Sequence, residues 1–536
     1  MHPSCSSLAS TFQGAWRRCC SWLGTPAALG LCILTGAGCG GEGPRNPEDP
    51  NATPMYTRVD NAALDVMPGV YPNAVDGSDT GDLQVAVLSS EGLDAKTLDL
   101  TTVVLTNPKG TGKVRASGVG TPRDVNGDGR LDALFSFPLP ALRDAGVLTP
   151  QTTRVLLDAK TQGGAVVSAQ DGVHDAHHVV VDLPVPTGPY AVGTTEFTWT
   201  DPAREETFTA SPDDRRALQV RLWYPARRMP RAQPSPYFLN PYEGELLAAL
   251  QGFPPELFGF FFAHSVRDAP LAEGSERFPV LLLSPGYGTG TAVYSGAAEE
   301  LTSQGYVVAA ISHPFTGGPV VFPDGRVAPH TVDISPFDAA QNAHIQGVWT
   351  GDARFVLDQL EKLGAEASGS PFVGRFDFSR VGMWGHSFGG STAADACRTD
   401  ARFKAGLNMD GSFHGDLDAE VHVPFLVMNS DGAAMDSTRA AFFQKLRATG
   451  YDASIHGTGH FSFSDIALAL PLVRTYAPQA TGTDIQIGNL EGTRAFALTV
   501  TYLRAFFDKH LREGTTPLLD GPSPEYPEVE LVVHRP

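Results

Sequence analysis

Short apolar stretches that alternate with polar residues characterise the chain between about residues 80 and 183. Examples are "LQVAVLSS", "TTVVLTN", "LDALFSF", "TRVLLDA" and "HHVVVDL", and turns rich in Gly, Asn, Asp and Pro separate them. Alternation with a period of two is typical of strands that bury one face, and closely spaced turns favour antiparallel neighbours. This pattern predicts a small antiparallel β-sandwich domain over residues 80–183.

From about residue 188 the apolar stretches become continuous, and helical patterns separate them. "FPVLLLSPG", "YVVAAISHP", "RVGMWGHS", "AGLNMDGS" and "PFLVMNSDG" are predicted to be buried strands that end in loops. Such strands, joined by helices, predict a mostly parallel sheet flanked by helices over residues 188–514, with active residues at the carboxyl ends of the strands. An aromatic insertion at 230–275 is predicted to be a lid or an extra packing layer, and residues 515–536 a C-terminal tail.

The first 39 residues differ from the rest of the chain. Two arginines precede the apolar run "CSWLGTPAALGLCILTGAGC", which ends in small residues before Cys39, an order typical of an export signal. The ending "GAGC" resembles a bacterial lipobox, which implies that Cys39 is acylated and that the protein is a cell-envelope lipoprotein. A cleaved secretory peptide, which would release the protein, and an uncleaved anchor are the alternatives. Residues 40–79 are predicted to be a flexible tether.

Charge and cysteine content narrow the classes of partner. A formal net charge of −20 over 536 residues argues against nucleic acid as a partner and against capture by an anionic membrane through charge. Membrane contact is therefore expected only through a lipid anchor or a lipid interface. Five of the six cysteines lie within the first 39 residues, which leaves Cys397, predicted to be buried, and excludes a disulfide within the rest of the chain. The sequence does not determine the oligomeric state.

A candidate catalytic serine, Ser387, lies in the segment Gly385-His386-Ser387-Phe388-Gly389. This stretch fits G-x-S-x-G, and it follows a predicted strand and precedes the helix-compatible "GGSTAADACR". In that context the serine is held on a tight turn at the sheet edge, where only glycine fits on either side. The pattern predicts an α/β-hydrolase fold in which Ser387 is the nucleophile.

A serine nucleophile needs a base and a carboxylate, which follow it in the chain order Ser, acid, His. His460 lies in the glycine-flanked loop "HGTGHFSFSD" and is the predicted base, whereas His456 and His386 are predicted to be packed or hydrogen-bonded side chains. Asp410 and Asp431 each end a predicted strand, and spacing alone does not decide between them.

Several ordered motifs carry a resemblance to a known family. "PVLLLSPGYGTGTAVYSGAAEELTSQGYVVAAISHP", "GHSFGGSTA", "ARFKAGLNMDGSF" and "GTGHFSFSD" resemble the plasma-type platelet-activating-factor acetylhydrolases and their bacterial relatives, over residues 188–512. The resemblance implies Asp410 as the acid, because in that family the acid follows the strand after the nucleophile. It also implies an oxyanion hole formed by the backbone amides of Phe388 and Tyr287, although Pro285 stands where the family usually has histidine. No cofactor is expected for catalysis.

A separate motif, "DVNGDGRLD", lies in the predicted sandwich. It places side-chain oxygens around Gly129 in the manner of short calcium-binding turns. The residues expected to bind a structural calcium ion are Asp124, Asn126, Asp128 and Asp132.

Together these patterns predict an exported serine esterase that hydrolyses short-chain carboxylic esters, with a small-molecule or lipid ester as substrate. The family implied by the resemblance acts on short or oxidised acyl groups of phospholipids, and the phenylalanines of the insertion are expected either to form core or to meet an acyl chain or a lipid interface. A serine peptidase of the same fold is one alternative. A surface binding protein whose functional module is the sandwich is the other.

Overall fold

The computed structural model describes residues 62–90, 92–229, 232–332, 334, 338–431 and 437–535. The predicted export signal, Cys39 and most of the predicted tether lie outside these residues. Within them, no helix is long and apolar enough to span a membrane.

Two antiparallel sheets occupy the N-terminal part of the described chain. The strands before residue 176 are β1 (Ala63–Val66), β2 (Ala74–Val75), β3 (Asp82–Leu88), β4 (Val104–Thr106), β5 (Lys113–Arg115), β6 (Gly118–Val119), β7 (Ala133–Pro138), β8 (Arg154–Lys160), β9 (Val166–Gly172) and β10 (His174–Asp175). One sheet has the order β1-β3-β7-β6 and the other β5-β4-β8-β9, while β2 and β10 form a separate parallel pair. Alternate side chains of both four-stranded sheets form a common apolar core. We call these two sheets the N-terminal sheets.

The first strand lies within the predicted tether, and it corrects that prediction. Ala63–Val66 pairs antiparallel with β3, and Leu64 and Val66 are buried in the shared core. The segment "ALDV" is too short to show a clear alternating pattern, so its role as a strand depends on the partner strand. The ordered structure therefore begins well before residue 80.

A ten-stranded sheet forms the larger part of the molecule. The remaining strands are β11 (Val181–Asp182), β12 (Ala191–Glu205), β13 (Arg215–Ala226), β14 (Phe261–Phe262), β15 (Val266–Arg267), β16 (Phe278–Ser284), β17 (Val307–Ser312), β18 (Val320–Val321), β19 (Val327–Ala328), β20 (Phe376–His386), β21 (Phe403–Met409), β22 (Phe425–Ser430), β23 (Gly450–Ile455) and β24 (Val529–His534). The order is β15-β12-β13-β17-β16-β20-β21-β22-β23-β24, with parallel pairing from β17 to β23. This main sheet confirms the predicted parallel architecture.

Helices cover both faces of the main sheet. The α-helices of the described residues are α1 (Leu139–Asp144), α2 (Pro241–Leu250), α3 (Ser295–Ser303), α4 (Ala339–Gly364), α5 (Phe388–Thr399), α6 (Ser437–Lys445), α7 (Leu470–Tyr476) and α8 (Gly492–Leu511). Apolar residues of α3 and α8 pack on one face, and those of α4, α5 and α6 on the other. The parallel strands are buried on both sides and so are apolar throughout.

The C-terminal residues are part of this fold, which corrects the predicted tail at 515–536. Strand β24 pairs antiparallel with β23 and forms one edge of the main sheet. Val529 and Leu531 are buried, while Glu530 between them is exposed. A short edge strand with one buried face carries a weak sequence signal, and pairing with β23 stabilises it.

The aromatic insertion is a packing layer. Five of its phenylalanines, Phe253, Phe258, Phe260, Phe261 and Phe262, are at most 7% exposed, and most of them belong to the core that also contains α3 and α8. This burial confirms the core interpretation, and it removes these rings from the surface that a lipid interface would contact. Cys397 is buried as expected.

Candidate active site

Ser387 lies between β20 and α5 in a conformation that few residues adopt. Its φ is 55° and its ψ is −122°, a strained combination for a residue with a side chain. A Cβ atom on Gly385 would lie 2.2 Å from the Gly389 oxygen, and one on Gly389 would lie 2.1 Å from the Ser284 oxygen. Both flanking positions therefore require glycine, as the motif predicted, because the turn is packed against the neighbouring backbone.

An aspartate and a histidine form a short pair at the same edge of the sheet. Asp410 directly follows β21, and its Oδ2 accepts a hydrogen bond from His460 Nδ1 at 2.7 Å. Ser430, the last residue of β22, adds two hydrogen bonds to the carboxylate, from its amide at 2.7 Å and from its hydroxyl at 3.0 Å. The side chain of Asp410 is 1% exposed and that of His460 is 20% exposed. The carboxylate is therefore held by three donors in a nearly dry site.

The electrostatics of this pair favour an ionised carboxylate. Burial would raise the pKa of Asp410, but the hydrogen bond and the charge of His460, together with the Ser430 amide, hold that pKa below its ordinary value. An ionised Asp410 accepts a hydrogen bond from the protonated Nδ1 of His460. Nε2 is then the basic nitrogen of the ring. Ser430 was not singled out from the sequence, because a serine that ends a buried strand carries no pattern of its own.

Asp431, the alternative acid, has a different partner. Its Oδ1 lies 2.9 Å from His456 Nδ1, and its Oδ2 accepts the Gly457 amide at 2.8 Å. Both side chains are about half exposed, at 52% and 54%. The structure therefore places Asp410, and not Asp431, beside His460, and it shows His456 as the hydrogen-bonded residue that was expected.

His386 supports the loop that carries His460. Its Nε2 lies 2.8 Å from the His460 carbonyl oxygen, which can only accept, so Nε2 carries the proton. Its Nδ1 accepts from the Tyr294 hydroxyl at 2.9 Å. Burial, with the neighbouring His460 as a smaller contribution, lowers the pKa of His386 to about 3, so this imidazole stays neutral. The prediction that His386 is a hydrogen-bonding support is confirmed.

The loop after β16 contains Tyr287, and its two flanking glycines are held by hydrogen bonds. The Gly286 amide donates to the Tyr294 hydroxyl at 3.0 Å, and the Gly286 carbonyl accepts from the Thr289 hydroxyl at 2.7 Å. The Gly288 carbonyl accepts from the side chain of Gln251 at 3.0 Å. Tyr294 and Thr289 thus brace a loop in which Pro285 provides no side-chain hydrogen bond. We call residues 285–289, which contain the predicted oxyanion donor Tyr287, the oxyanion loop.

A buried ionic network supports the start of this loop. Ser284, the last residue of β16, lies 2.9 Å through its hydroxyl from His313 Nε2, and His313 Nδ1 lies 2.8 Å from Asp352. Burial opposes the charge on Asp352, but Arg216 and His313 hold its pKa far below the ordinary value. Sequence reasoning missed this network. The signal that could have revealed it is His313, which directly follows the apolar β17, because a histidine next to a buried strand rarely lacks hydrogen-bond partners.

Aromatic rings surround the second predicted donor. Phe388, the first residue of α5, is 3% exposed, and its ring lies 5.1 Å from that of Trp349 and 5.9 Å from that of Tyr287. Both residues of the predicted oxyanion hole therefore lie on adjoining segments, and their side chains pack together. This packing limits the movement of the two backbone segments relative to each other.

The predicted calcium ligands take part in local hydrogen bonds. Asp124 accepts the amides of Gly127 and Gly129, and the two oxygens of Asp132 accept the amides of Ser89 and Val125. The remaining two, Asn126 and Asp128, accept amides two residues ahead. Among the described residues no three His, Cys, Asp or Glu side chains converge as a metal site. Calcium binding here stays a prediction.

The ten-stranded sheet and the strained serine, with an Asp–His pair at the same sheet edge, define an α/β-hydrolase. Comparison with known proteins supports the class and narrows it. The family model described as platelet-activating factor acetylhydrolase, isoform II, matches residues 176–316 and 356–513, more than half of the chain. The chain belongs to this family, which confirms the resemblance seen in the sequence motifs.

Two curated relatives and one solved structure are similar to this chain. A protein of Arthroderma benhamiae named probable 1-alkyl-2-acetylglycerophosphocholine esterase is 29% identical over 279 residues, which cover 47% of this chain and 65% of the relative. The platelet-activating factor acetylhydrolase of Cavia porcellus is 23% identical over 322 residues, covering 54% of this chain and 70% of the relative. The solved structure of a ferulic acid esterase from Streptomyces cinnamoneus is 28% identical with a TM-score of 0.57, covering 66% of this chain and 99% of that one.

Proposed function

We propose that this protein is a serine esterase that hydrolyses short-chain carboxylic esters through an acyl-enzyme on Ser387. The observation that carries the proposal is the strained Ser387 at the sheet edge where Asp410 holds His460 at 2.7 Å. The names of the relatives support ester hydrolysis as the reaction, since each is an esterase or an acetylhydrolase.

The first half of the reaction forms the acyl-enzyme. His460 Nε2 accepts the proton of the Ser387 hydroxyl as the serine oxygen attacks the carbonyl carbon of the ester. Asp410 keeps His460 in the required tautomer and stabilises the imidazolium that forms. The carbonyl oxygen becomes negative and accepts hydrogen bonds from the amides of Phe388 and Tyr287, each worth roughly 3 kcal/mol in the transition state. Collapse of the intermediate breaks the ester C–O bond, and the imidazolium protonates the departing alcohol.

The second half regenerates the serine. Water attacks the acyl carbonyl carbon while His460 Nε2 takes one of its protons, and the same two amides stabilise the second tetrahedral intermediate. The C–O bond to Ser387 then breaks, and the serine oxygen recovers its proton from the imidazolium. The carboxylic acid leaves. The residues of the chain perform every proton transfer in this cycle.

The variant Ser387→Ala tests the proposal. We expect hydrolysis of p-nitrophenyl acetate to fall by at least about three orders of magnitude and fluorophosphonate labelling to disappear, because the nucleophile is gone. Ser368→Ala, at an exposed serine between α4 and β20, is the matched control and should retain activity. Full activity in folded Ser387→Ala would contradict the proposal.

The substrate class divides between two kinds of ester, and we favour the acetyl or short acyl group of a phospholipid. Two relatives are named for acetyl-lipid hydrolysis, whereas the structural neighbour is named for ferulic acid esters. A panel of an sn-2 acetyl phospholipid, methyl ferulate and p-nitrophenyl esters of increasing chain length distinguishes them. The highest kcat/KM on the phospholipid supports lipid deacetylation, and the highest on methyl ferulate would replace it with aromatic ester hydrolysis.

Two other interpretations have clear tests. Hydrolysis of a peptide substrate with a higher kcat/KM than any ester would favour a serine peptidase. Failure of the wild-type protein to react with a fluorophosphonate would favour a surface binding protein.

We further propose that the protein is exported and anchored through Cys39, which globomycin-sensitive processing in a bacterial host would test. We also propose that calcium binds the loop at Asp124. Calcium is proposed to raise the thermal stability of the protein and to leave its esterase activity unchanged.

A further inference from the structure

The N-terminal sheets contact the insertion through a partly buried ion pair. Arg154, the first residue of β8, donates to Glu245 Oε1 from Nε at 3.2 Å and from Nη2 at 2.7 Å. Its Nη1 donates to Gln170 on β9 at 2.6 Å. Glu245 belongs to α2, and the side chains of the pair are 6% and 20% exposed. Two charge-assisted donors that converge on one carboxylate oxygen restrict the distance between the two side chains.

Further contacts make this junction tight. The Tyr71 hydroxyl donates to the Ala263 carbonyl at 3.1 Å, and the Phe262 ring meets the Tyr71 ring edge to face. A Cβ atom on Gly259 would lie 2.3 Å from the side chain of Thr153, so the backbone of the insertion directly touches the residue before β8. The strands β11 and β14 also pair in parallel across the same region.

The C-terminal end of α2 lies near the oxyanion loop. Gln251 directly follows α2 as its C-cap residue, and its Nε2 donates to the carbonyl of Gly288, the residue directly after Tyr287, at 3.0 Å. Gly290, just after the oxyanion loop, packs closely against the side chains of Phe238 and Leu247. A Cβ atom on Gly290 would lie 3.3 Å from the first and 3.4 Å from the second. One helix thus contacts the N-terminal sheets through Glu245 and the oxyanion loop through Gln251.

We propose that the N-terminal sheets position the oxyanion loop through α2, with Gln251 as the positioning residue at the active-site end. This inference rests on the proposed esterase function, because it needs the Tyr287 amide as an oxyanion donor. The orientation of that amide depends on the peptide units on both sides of it. The carbonyl of the Gly286–Tyr287 unit itself accepts from Thr289, and the next unit donates through the Gly288 amide to the Thr316 carbonyl. Gln251 holds the unit after that, between Gly288 and Thr289, and the Arg154–Glu245 pair holds the helix that Gln251 follows. In this proposal the N-terminal sheets contribute to stabilisation of the transition state through the position of the oxyanion loop.

The variant Gln251→Met tests the active-site end, because methionine has nearly the same shape and cannot donate a hydrogen bond. We expect kcat on p-nitrophenyl acetate to fall about tenfold, with KM within about twofold, since the lost contact matters most when the oxyanion forms. The inhibition constant of a trifluoromethyl ketone, which forms a tetrahedral adduct on serine, should rise about tenfold in parallel. A role in folding alone would lower the number of active sites, counted by fluorophosphonate titration, and leave the inhibition constant of the remaining sites unchanged.

Two substitutions at the same position sharpen this test. Gln251→Glu keeps the size of the side chain without the donor and should lose at least as much activity. Gln251→Lys retains an N–H donor and should recover part of the loss. An unchanged inhibition constant in both Gln251→Met and Gln251→Glu would overturn the proposal.

A double-mutant cycle tests the connection to the N-terminal sheets, since coupling between distant residues shows as non-additivity. We expect Arg154→Met to reduce kcat about threefold to tenfold, and Arg154→Met with Gln251→Met to be no slower than Gln251→Met alone. Arg143→Met is the control, because Arg143 donates to Asp79 within the same part of the chain. If Arg154→Met lacks a native near-ultraviolet dichroism spectrum, Arg154→Lys replaces it in the cycle. Strictly additive effects would refute the connection.

These outcomes are separable from failure of the proposed function. If the wild-type protein neither hydrolyses esters nor reacts with fluorophosphonate, the esterase proposal fails. If the wild-type protein does both and the Gln251 and Arg154 variants equal it, the positioning proposal alone fails.

Discussion

Two Asp–His pairs lie at the ends of neighbouring strands, and the hydrogen-bond distances within the two pairs are nearly equal. Asp410 and His460 are 2.7 Å apart, and Asp431 and His456 are 2.9 Å apart. The first pair is nearly buried, whereas both members of the second are about half exposed. Only the first carboxylate also receives the amide and hydroxyl of Ser430.

This difference teaches that a short carboxylate–imidazole distance does not by itself identify a catalytic pair. Water and mobile ions screen the exposed pair, so its members exchange solvent contacts at little cost. In the buried pair the same contact acts at a lower effective dielectric, and an unpaired charge there would be costly. In the proposed mechanism, burial and the additional donors enable Asp410 to orient the His460 imidazole throughout the reaction.

The largest expected effect comes from replacing the two carboxylates in turn. Asp410→Asn should lower kcat on p-nitrophenyl acetate by about three orders of magnitude, because an amide no longer stabilises the imidazolium and favours the wrong tautomer. Asp431→Asn should change kcat by less than about twofold, because surface substitutions are usually mild. Steady-state kinetics normalised to active sites measure both. Equal losses in the two variants would break the comparison.

Removing one support of the buried pair should have a smaller effect. Ser430→Ala deletes the hydroxyl at 3.0 Å from Asp410 and retains the backbone amide. We expect kcat to fall about tenfold, since one of several charge-assisted hydrogen bonds is lost. Ser430→Thr keeps the hydroxyl and serves as the control. A wild-type rate in Ser430→Ala would show that the amide and His460 suffice.

Acid titration should separate the pairs by stability. The folded-state pKa of Asp410 is below its unfolded value, so its stabilising contribution is complete above about pH 4 and is lost as pH falls through the folded pKa. The difference in unfolding free energy between wild type and Asp410→Asn should therefore be constant from pH 7 to about 4.5 and shrink below about 4. For Asp431→Asn it should be small throughout. Urea unfolding across this range measures both, and a difference for Asp410→Asn that grows below pH 4 would contradict the assignment.

The smallest effect is expected at His456. His456→Ala should lower the free energy of unfolding by at most about 1 kcal/mol, and less in high salt, because the ion pair is exposed. Esterase activity should stay within about twofold of wild type. Thermal unfolding at 0.05 M and 1 M salt checks the first statement. A large, salt-independent loss of stability would contradict this expectation, because it would mean that the exposed pair contributes substantially to folding stability.

Sequence reasoning predicted the main sheet, and it singled out the residues of the proposed site, because their signals are local. The buried strands are continuous apolar runs, and the glycines around Ser387 obey a steric rule within five residues. It failed for β1 and β24, whose segments become strands only when β3 and β23 pair with them. It also did not decide whether the insertion is a lid or a packing layer, because a sequence does not show which phenylalanines are buried.

By itself the sequence determined that a serine would stand on a tight strand-to-helix turn, with His460 on a glycine-flanked loop near the C-terminal end of the fold. Spacing left Asp410 and Asp431 equal, and the resemblance to a family favoured Asp410. Only the tertiary structure decided which carboxylate meets His460 in a buried site, and which side chains, Ser430, Tyr294 and Gln251, hold the surrounding loops. The reason is physical: these contacts join residues from separate strands and helices, and burial is a property of the packed chain rather than of any segment in it.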